Sequence, residues 1–399
     1  MNKITCFTLI PAMLLLSSGC VKTNKKPIPT ISINTPNTNT IPIATTYPLP
    51  ITQPPVQQPN TTNYPIQVIQ QNNYIPPRSQ YLQGAYGSNQ QLRQFITMVS
   101  NKYNYDRYEL NAIFSTVNRD TEALRKYNVF KSNKPTYSKA TTIGSWDKYR
   151  SNFLTTSRIT KGVNFWRENA QWLNIASQQY GVAPEYIVGI IGVETNFGGY
   201  TGKHSVLNAL TTLSLEYKKR SKFFSSELEN YLLMLRDERV NPQAIKGSYA
   251  GAFGLAQFMP SSFREYAVDL DGDGHINLFN KADAIGSIAN YFIGKGKWNP
   301  QLPVTMMTYY NRTRFYGLKT GFKTSYSQSQ LYTLGMRPSS NFYGYKGPVS
   351  LIKLSRYNRD ELWWGTPNFR AITRYNPKDH YAMAVHQLAQ AIKKSYLGR

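Results

Sequence analysis

The run PEYIVGIIGVE at 184–194 most constrains the fold, because it is a nearly all-apolar helix that ends in an acid. Pro184 suits the first position of a helix, and Gly198–Gly199 suit its stop. Glu194 shares a helical face with three isoleucines, Ile187, Ile190 and Ile191. Burial on such a face disfavours the ionised carboxylate and raises the pKa of Glu194. The segment therefore predicts a buried helix that carries one protonated acid.

An acid held protonated near neutral pH can donate its proton to the oxygen of a glycosidic bond. The segment alone leaves a second interpretation open, in which Glu194 is a buried structural glutamate satisfied by the end of a neighbouring helix. The rest of the chain is needed to choose between a catalytic and a structural role for Glu194.

The strong positive charge predicts an anionic partner. The 399-residue chain carries 46 lysines and arginines against 21 acids, a formal net charge of +25. Nucleic acid, anionic lipid, lipopolysaccharide and an acidic cell-wall polymer all fit this charge. The 30 tyrosines favour a groove that binds sugars or other amphipathic ligands. The length allows two domains or one domain with an insertion.

Residues 1–20 predict export. Lys3 precedes a short apolar run at 7–16, and small residues then lead to Cys20. The run is too short to span a bilayer and resembles a bacterial lipoprotein signal, in which Cys20 is lipidated and begins the mature chain. The alternative is an ordinary signal peptide that leaves Cys20 free. Export argues against a nucleic-acid partner, and removal of Cys6 with the signal leaves no cysteine pair for a disulfide.

Composition divides the exported chain at about residue 89. Residues 21–88 are rich in Pro, Thr, Asn and Gln, contain no Asp or Glu, and predict a disordered tether. Residues 89–399 predict a folded domain, in which turn-rich pieces at about 300–365 predict an inserted β subdomain. Helical spacing predicts helices at Gln91–Tyr103, Tyr108–Val117, Val163–Tyr180, Pro184–Glu194, Ser205–Tyr217, Ser221–Arg239, Ala282–Ile293 and His380–Leu397.

The run GSYAGAFGLAQFMPSS at 247–262 suits a ligand site. Its small residues let backbone approach a sugar closely, and Gln257 can both donate and accept hydrogen bonds. Close packing of helices would explain the same small residues. The four histidines show no zinc spacing, and the chain lacks a G-x-S-x-G elbow, a P-loop and a dinucleotide fingerprint.

The run DLDGDGHINL at 269–278 matches the first positions of an EF-hand calcium loop. The ligands would be the side chains of Asp269, Asp271 and Asp273 and the backbone carbonyl of His275. The twelfth position is Asn280 where a bidentate Glu is expected, and Asp283 could supply the missing carboxylate in a longer loop. Many hard, flexibly spaced oxygens favour Ca²⁺ over Mg²⁺. An acidic turn without metal is the alternative.

Together these motifs resemble the family of membrane-bound lytic murein transglycosylase B. The resemblance runs from about residue 89 to the C-terminus and rests on IVGIIGVETNFG, KGSYAGAFGLAQFMPSS, AVDLDGDGHINL, DAIGSIANYF, PNFRAITRYN and YAMAVHQLAQAI. It implies a mainly α fold, with a lysozyme-like helical catalytic core, a small inserted β subdomain and an EF-hand-like loop. The implied Ca²⁺ is structural, and no cofactor is implied for catalysis.

The resemblance also gives roles to individual residues. Glu194 matches the family's catalytic acid. Matches to substrate-binding positions are Tyr149, Lys219, Arg220, Ser248, Gln257, Tyr291, Asn368 and Tyr375. Matches to the calcium ligands are Asp269, Asp271, Asp273, His275 and Asp283. Two positions depart from the family pattern, since Lys219 replaces an arginine and Arg370 stands where a tyrosine is usual.

The implied activity is cleavage of peptidoglycan between N-acetylmuramic acid and N-acetylglucosamine, which leaves 1,6-anhydro ends. A single Glu would act as acid and then as base, as in substrate-assisted enzymes with one carboxylate. The implied location is the periplasmic face of the outer membrane, with a lipid anchor at Cys20. A hydrolytic muramidase and a non-catalytic peptidoglycan-binding lipoprotein are the alternatives. Retention of Glu194, Ser248 and Gln257 together argues against the second.

Overall fold

The computed structural model describes residues 74–127, 143–311, 315–340 and 344–398. Its helices are α1 Gln90–Tyr103, α2 Arg107–Ser115, α3 Thr121–Lys126, α4 Ser145–Arg150, α5 Thr156–Glu168, α6 Ala170–Tyr180, α7 Pro184–Thr195, α8 Val206–Glu216, α9 Ser221–Glu238, α10 Pro260–Tyr266, α11 Lys281–Gly294, α12 Gln328–Thr333, α13 Pro367–Tyr375 and α14 Asp379–Tyr396. The predicted signal, with Cys20, and the tether up to residue 73 lie outside the described residues. Within the described ranges, no helix is long and apolar enough to cross a membrane.

Helix α7 lies at the centre of the helical part, as its apolar sequence predicts. Every residue of this helix except Glu194 is buried, which is the state expected of a helix that is apolar all round. Helix α14 packs so close to it that a Cβ on Gly189 would lie 3.1 Å from the Cβ of Ala389. After the helix, Asn196 and Phe197 take left-handed φ angles of 51° and 62°, which turn the chain sharply.

The predicted helices are confirmed with one exception, the predicted helix Val163–Tyr180. This segment belongs to two helices, α5 and α6, which meet at Asn169. Asn169 has φ of −119° and ψ of 23°, and its Nδ2 donates to the carbonyl of Phe165 at 2.8 Å. Such a bond from side chain to backbone competes with continuation of the helix. Helices α3, α4, α10, α12 and α13 were not predicted. The first four have only six or seven residues, which show too little periodicity, and α13 has nine.

The strands form two separate sheets. The short strands β1 His204–Ser205 and β2 Lys246–Gly247 pair within the helical part. The strands β3 Thr305–Tyr309, β4 Arg337–Pro338, β5 Ser350–Ser355 and β6 Asp360–Gly365 form an antiparallel sheet in the order β4-β3-β6-β5. This sheet has its own core, composed of Phe315, Leu331, Met336, Val349, Leu351, Leu362 and Trp364. The predicted mainly α fold with a small inserted β subdomain is confirmed.

Packed structure begins before the predicted boundary at Asn89. The backbone N–H of Ser79 donates to the carbonyl of Tyr108 at 2.8 Å. The side chain of Tyr86 is buried, and its hydroxyl donates to Oε1 of Glu216 at 2.6 Å. The predicted boundary at Asn89 is therefore too late in the sequence. Overall composition does not reveal a single aromatic residue, such as Tyr86, that anchors this segment to the helices.

Candidate active site

The carboxyl of Glu194 lies in the last turn of α7. Its Oε1 accepts a hydrogen bond of 2.5 Å from the hydroxyl of Tyr381 in α14. Burial of the carboxyl raises the pKa of Glu194 to about 7, and the bond from Tyr381 opposes this rise. The predicted direction of the pKa shift is confirmed. A shared face with isoleucines does not distinguish Glu194, however, because the whole of α7 is surrounded by protein.

Four tyrosines lie close enough to this carboxyl for its charge to act on them. At each of them burial raises the pKa most and the charge of Glu194 adds to the rise, namely at Tyr149, Tyr291, Tyr375 and Tyr381. The rings of Tyr291 and Tyr375 are in contact, with centroids 4.8 Å apart. No carboxylate contributes to the pKa of Glu194, so among the described residues this acid stands alone. The three tyrosines that the resemblance implies, Tyr149, Tyr291 and Tyr375, thus lie near the acid that it implies.

Tyr381 is the partner of Glu194 that sequence reasoning missed. It opens the run YAMAVHQLAQAI, in which Val385, Leu388 and Ile392 are buried at helical spacing. A tyrosine on such an apolar stripe needs a partner for its hydroxyl. A lone acid on another buried helix needs a hydrogen-bond donor. A buried tyrosine and a buried acid, each without a local partner, were the sequence signal that could have found this pair.

Tyr381→Phe should raise the pKa of Glu194 further, because the donor that stabilises the ionised carboxylate is lost while burial remains. A hydrogen bond to a charged group contributes about 1.5–3 kcal/mol. Glu194 is protonated below its pKa, so it should stay protonated to higher pH in the variant. NMR titration of the Glu194 carboxyl measures the shift.

Tyr186→Phe is the matched control for this titration. Tyr186 belongs to α7, and its hydroxyl bonds Nδ1 of His386 at 3.0 Å instead of the acid. This variant should leave the pKa of Glu194 unchanged. A Glu194 pKa that falls or stays constant in Tyr381→Phe would contradict the role given to the hydroxyl.

Gln257 links the loop before α10 to the segment that follows α7. Its Nε2 donates to the carbonyls of Thr201 at 3.0 Å and Gly254 at 2.9 Å. Its φ is +48°, and the hydroxyl of Tyr375 holds the carbonyl of the preceding Ala256 at 2.9 Å. Because the amide nitrogen is used internally, the side-chain oxygen is the group of Gln257 that can accept a hydrogen bond from a ligand.

Ser248 shapes the start of the same loop. Its Oγ accepts the N–H groups of Ala250 at 3.3 Å and Ala252 at 3.1 Å, and its side chain is buried. A hydroxyl that accepts in this way still has its own proton to donate. Gly202 approaches the loop so closely that a Cβ there would lie 2.0 Å from the carbonyl carbon of Gly247. The loop of Ser248 and the segment after α7 therefore pack backbone to backbone.

Lys219 and Arg220 lie in a 3-10 turn at Lys218–Arg220, between α8 and α9. Lys219 is exposed, whereas the guanidinium of Arg220 lies 3.9 Å from the ring centroid of Phe223. The charge of Arg220 also acts on Tyr127, whose ring contacts that of Tyr249 at 5.5 Å. Tyr249 belongs to the loop of Ser248, so these basic residues border that loop.

The structure contradicts the predicted substrate contact of Asn368. Asn368 is fully buried at the start of α13. Its Nδ2 donates to the carbonyls of Asn299 and Leu302 at 2.8 Å each, and its Oδ1 accepts the N–H of Asn299 at 2.9 Å. The amide therefore holds the backbone of 299–302, and no donor remains to reach a substrate.

Three carboxylates come together in the loop before α11. Oxygens of Asp269, Asp271 and Asp273 lie within 4.8 Å of one another. Gly272 and Gly274 take φ angles of +76° and +87°, which allow the tight turn. Several hard oxygens at this spacing suit Ca²⁺. The side chains present thus fit the metal that the sequence implies.

The other suggested calcium ligands lie at the edge of this cluster. Asp283 is fully buried, and its two oxygens accept the N–H groups of Leu270 at 2.9 Å and Asn277 at 2.7 Å. Burial is the main cause that raises the pKa of Asp283 to about 6. The side chain of Asn280, which stands where a bidentate Glu is expected, caps α11. Direct ligation by Asp283 and by the carbonyl of His275 stays a prediction.

Comparisons with known proteins agree with this architecture. Residues 87–390 match the family model described as the transglycosylase SLT domain. Membrane-bound lytic murein transglycosylase B of Escherichia coli (strain K12) is 46% identical over 312 residues, which cover 77% of this chain and 84% of that protein.

Solved structures of related proteins are also similar to this chain. Lytic transglycosylase SLT35 of Escherichia coli in complex with calcium has a TM-score of 0.73 and 44% identity, over 79% of this chain and 97% of that chain. Soluble lytic transglycosylase SltB1 of Pseudomonas aeruginosa has a TM-score of 0.69 and 38% identity, over 77% and 100%. SltB3 of Pseudomonas aeruginosa, in complex with NAG-NAM-pentapeptide, has a TM-score of 0.66 and 26% identity, over 76% and 79%. The sequence motifs, the fold and these matches together show that the chain belongs to the transglycosylase SLT domain family.

Proposed function

We propose that the chain is a lytic transglycosylase that cleaves the β-1,4 bond between N-acetylmuramic acid and N-acetylglucosamine in peptidoglycan. The proposal is carried by one observation: Glu194 has a pKa of about 7 and, among the described residues, no carboxylate beside it. Glycosidases with two acids use the second one on water or as a nucleophile, whereas one acid suffices when the substrate supplies the attacking group. The murein named in the Escherichia coli relative and the glycopeptide bound to SltB3 support the same substrate.

Glu194 acts twice in this reaction. Below its pKa of about 7 it is protonated, and it donates that proton to the glycosidic oxygen as the bond to C1 breaks. The N-acetyl group of the substrate stabilises the positive charge that develops at C1. The ionised Glu194 then takes the proton of the sugar's own 6-hydroxyl, whose oxygen bonds to C1 and closes the anhydro ring without water. The hydroxyl of Tyr381 stabilises the ionised glutamate between these two transfers.

The groups around the acid bind the glycan and its peptide. A ring contact to a sugar is assigned to Tyr149, which is half-buried. The rings of Tyr291 and Tyr375 are only 3% and 6% exposed, and they help to enclose the acid. Gln257 accepts a hydrogen bond through its side-chain oxygen, and Ser248 donates one. Lys219 and Arg220 attract the carboxylates of the peptide stems, in keeping with the net charge of +25. Lys219 does so as a point charge, without the planar fork of an arginine.

Mass spectrometry of fragments released from purified peptidoglycan tests the proposal. The full-length chain should release muropeptides that are one water lighter than hydrolysis products, and Glu194→Gln should release none. Fragments of hydrolytic mass would instead identify a muramidase. Binding of peptidoglycan without fragments from either protein would identify a non-catalytic lipoprotein.

We also propose that Asp269, Asp271 and Asp273 hold a structural Ca²⁺. Three neighbouring carboxylates repel one another unless a cation lies between them, and a solved relative contains calcium. Free Ca²⁺ at about 100 times its Kd would add about 2.7 kcal/mol to the free energy of unfolding. A chelator should therefore lower the melting temperature of the full-length chain in calorimetry. Asp273→Asn should respond neither to chelator nor to added Ca²⁺, and an equally indifferent wild-type chain would remove the claim.

We propose further that a lipid on Cys20 anchors the chain to the outer membrane, on its periplasmic face. The signal-like segment ends in Cys20, and the Escherichia coli relative is described as membrane-bound. Metabolic labelling with radioactive palmitate should mark the chain in cells. Cys20→Ala should abolish the label, and an unlabelled wild-type chain would show that an ordinary signal peptide precedes a free cysteine.

A further inference from the structure

The turn between β5 and β6 holds α4, the helix that carries Tyr149. Oδ1 of Asp147 accepts a hydrogen bond from Nε of Arg356 at 2.6 Å, and its Oδ2 accepts the N–H of Tyr357 at 2.8 Å. The N–H of Gly144 donates to the carbonyl of Arg356 at 3.2 Å. Two consecutive residues of the turn are thus joined to the first turn of α4.

The ion pair in this contact is shielded from water. The side chains of Asp147 and Arg356 are 16% and 30% exposed, and Arg356 also pairs with Glu361, which is 9% exposed. Burial disfavours the ionised form of Asp147, yet the hydrogen bonds from Arg356 and Tyr357 outweigh it and hold the pKa of Asp147 below its ordinary value. Charges in such a network are screened less by salt than an exposed pair.

Helix α4 depends on contacts of this kind. It has six residues, and Gly144 at its N-cap provides no side-chain cap. Isolated helices of this length are unstable in water. The ring of Tyr149 contacts those of Phe153 at 5.1 Å and His380 at 5.5 Å, while its hydroxyl makes no hydrogen bond within the described ranges. The position of this ring therefore follows the position of α4.

Tyr149 is the accessible tyrosine beside the acid. Tyr291, Tyr375 and Tyr381 are only 3%, 6% and 3% exposed, whereas Tyr149 is half-buried. Displacement of Tyr149 would open the carboxyl of Glu194 to water and would move the one accessible ring beside it.

A second contact joins the β subdomain to the same site. The N–H of Phe322 donates to Oδ1 of Asp379 at 2.8 Å, and Asp379 lies two residues before Tyr381 in α14. Nε of Arg370, in α13, donates to Oγ of Ser350 at 3.0 Å. This contact gives Arg370, which stands where a tyrosine is expected, a partner in the subdomain and joins the subdomain to α13.

We propose that Asp147 and Arg356 are positioning residues, through which the β5–β6 turn sets the place of Tyr149 against Glu194 and the substrate. This role rests on the proposed function, because it concerns the same site. None of the residues assigned to catalysis or substrate binding belongs to the inserted segment at 300–365. The inserted subdomain would thus shape a site to which it contributes no reacting group.

Arg356→Gln tests this role, with Arg359→Gln as the matched control. Both variants remove one positive charge from the same turn, but the side chain of Arg359 reaches Glu361 at 3.9 Å and not α4. A misplacement of about 1 Å can cost about 10²-fold in rate. Release of anhydro-muropeptides should therefore fall about tenfold to a hundredfold with Arg356→Gln and stay constant with Arg359→Gln. Equal rates in the two variants would overturn the role.

A Tyr149→Ala background separates positioning from a general loss of stability. If Arg356 acts through Tyr149, Arg356→Gln should have little further effect in a chain that already lacks this ring. The same fold-loss in both backgrounds would overturn the role. Asp147→Asn preserves the shape of the side chain and replaces Arg356→Gln, with the same expectations, if the latter does not fold.

NMR titration of Glu194 provides a readout that needs no turnover. Besides burial, only the hydrogen bond from Tyr381 acts on the pKa of this carboxyl, and its charge in turn raises the pKa of Tyr149, Tyr291, Tyr375 and Tyr381. Water admitted by displacement of Tyr149 should lower the pKa of Glu194 in Arg356→Gln. The control variant should titrate like the wild type. An unchanged pKa in Arg356→Gln would overturn the positioning role. This readout remains valid if the wild-type chain releases no anhydro ends, a result that would refute the proposed function instead.

Discussion

Glu194→Gln should reduce the release of muropeptides from peptidoglycan by about 10³-fold or more, because the amide can neither donate nor take back the proton. Glutamine has nearly the same shape, and its side-chain oxygen can still accept the bond from Tyr381. The loss should therefore appear in the rate of bond cleavage and not in the binding of peptidoglycan. Chromatography of soluble fragments, measured as an initial rate, gives the magnitude.

Glu185→Gln is the matched control in the same helix. Glu185 is 3% exposed and accepts a hydrogen bond from Nζ of Lys393 at 2.8 Å. Its replacement should lower the melting temperature and leave most of the cleavage rate. A Glu194→Gln chain that keeps more than about a tenth of the wild-type rate would contradict proton transfer by this residue.

Gly202→Ala should lower the free energy of unfolding by about 3 kcal/mol or more, since a strained backbone and an overpacked contact each cost about 1–3 kcal/mol. Gly202 has φ of +106°, and a Cβ there would lie 2.0 Å from the carbonyl carbon of Gly247 and 2.6 Å from the nitrogen of Ser248. These atoms belong to the backbone and cannot rotate away. The loop of Ser248 must therefore separate from the segment after α7. Urea unfolding of both chains measures the difference.

Gly344→Ala is the control for the backbone strain that a positive φ causes. Gly344 has φ of +72°, but a Cβ there would meet no described atom within 4 Å. Its replacement should lower the free energy of unfolding by only about 1–2 kcal/mol, because the left-handed backbone conformation disfavours any residue with a Cβ. If both variants changed the free energy of unfolding equally, close approach at Gly202 would not be the cause.

Local pattern was enough to predict the helix that carries the acid. The apolar run of α7 specifies burial on every side, and burial is what raises the pKa of Glu194. The spacing of Asp269, Asp271 and Asp273 is equally local, because a tight loop must bring these carboxylates together. In both cases the pattern that predicts the outcome lies within about a dozen neighbouring residues, which a sequence displays directly.

Partners from distant segments could not be predicted in this way. Tyr381 is separated from Glu194 by 187 positions, and no local pattern states which buried hydroxyl meets which acid. Asn368 belongs to a segment suggestive of ligand binding, yet a tertiary contact with 299–302 uses its amide. At Asn169 one side-chain hydrogen bond interrupts an apolar period that continues on both sides. Each failure arises where a single polar contact decides the outcome.

The position of Glu194 also determines when this chain can become active. Its carboxyl takes its raised pKa from burial among elements as far apart as α4 and α14, which meet only in the folded molecule. In an unfolded chain a glutamate has a pKa of about 4.3 and is ionised at neutral pH. In the unfolded chain this glutamate would thus be almost fully ionised and could not serve as the proton donor for cleavage of peptidoglycan. Proton donation by Glu194 therefore requires that these elements have already packed together.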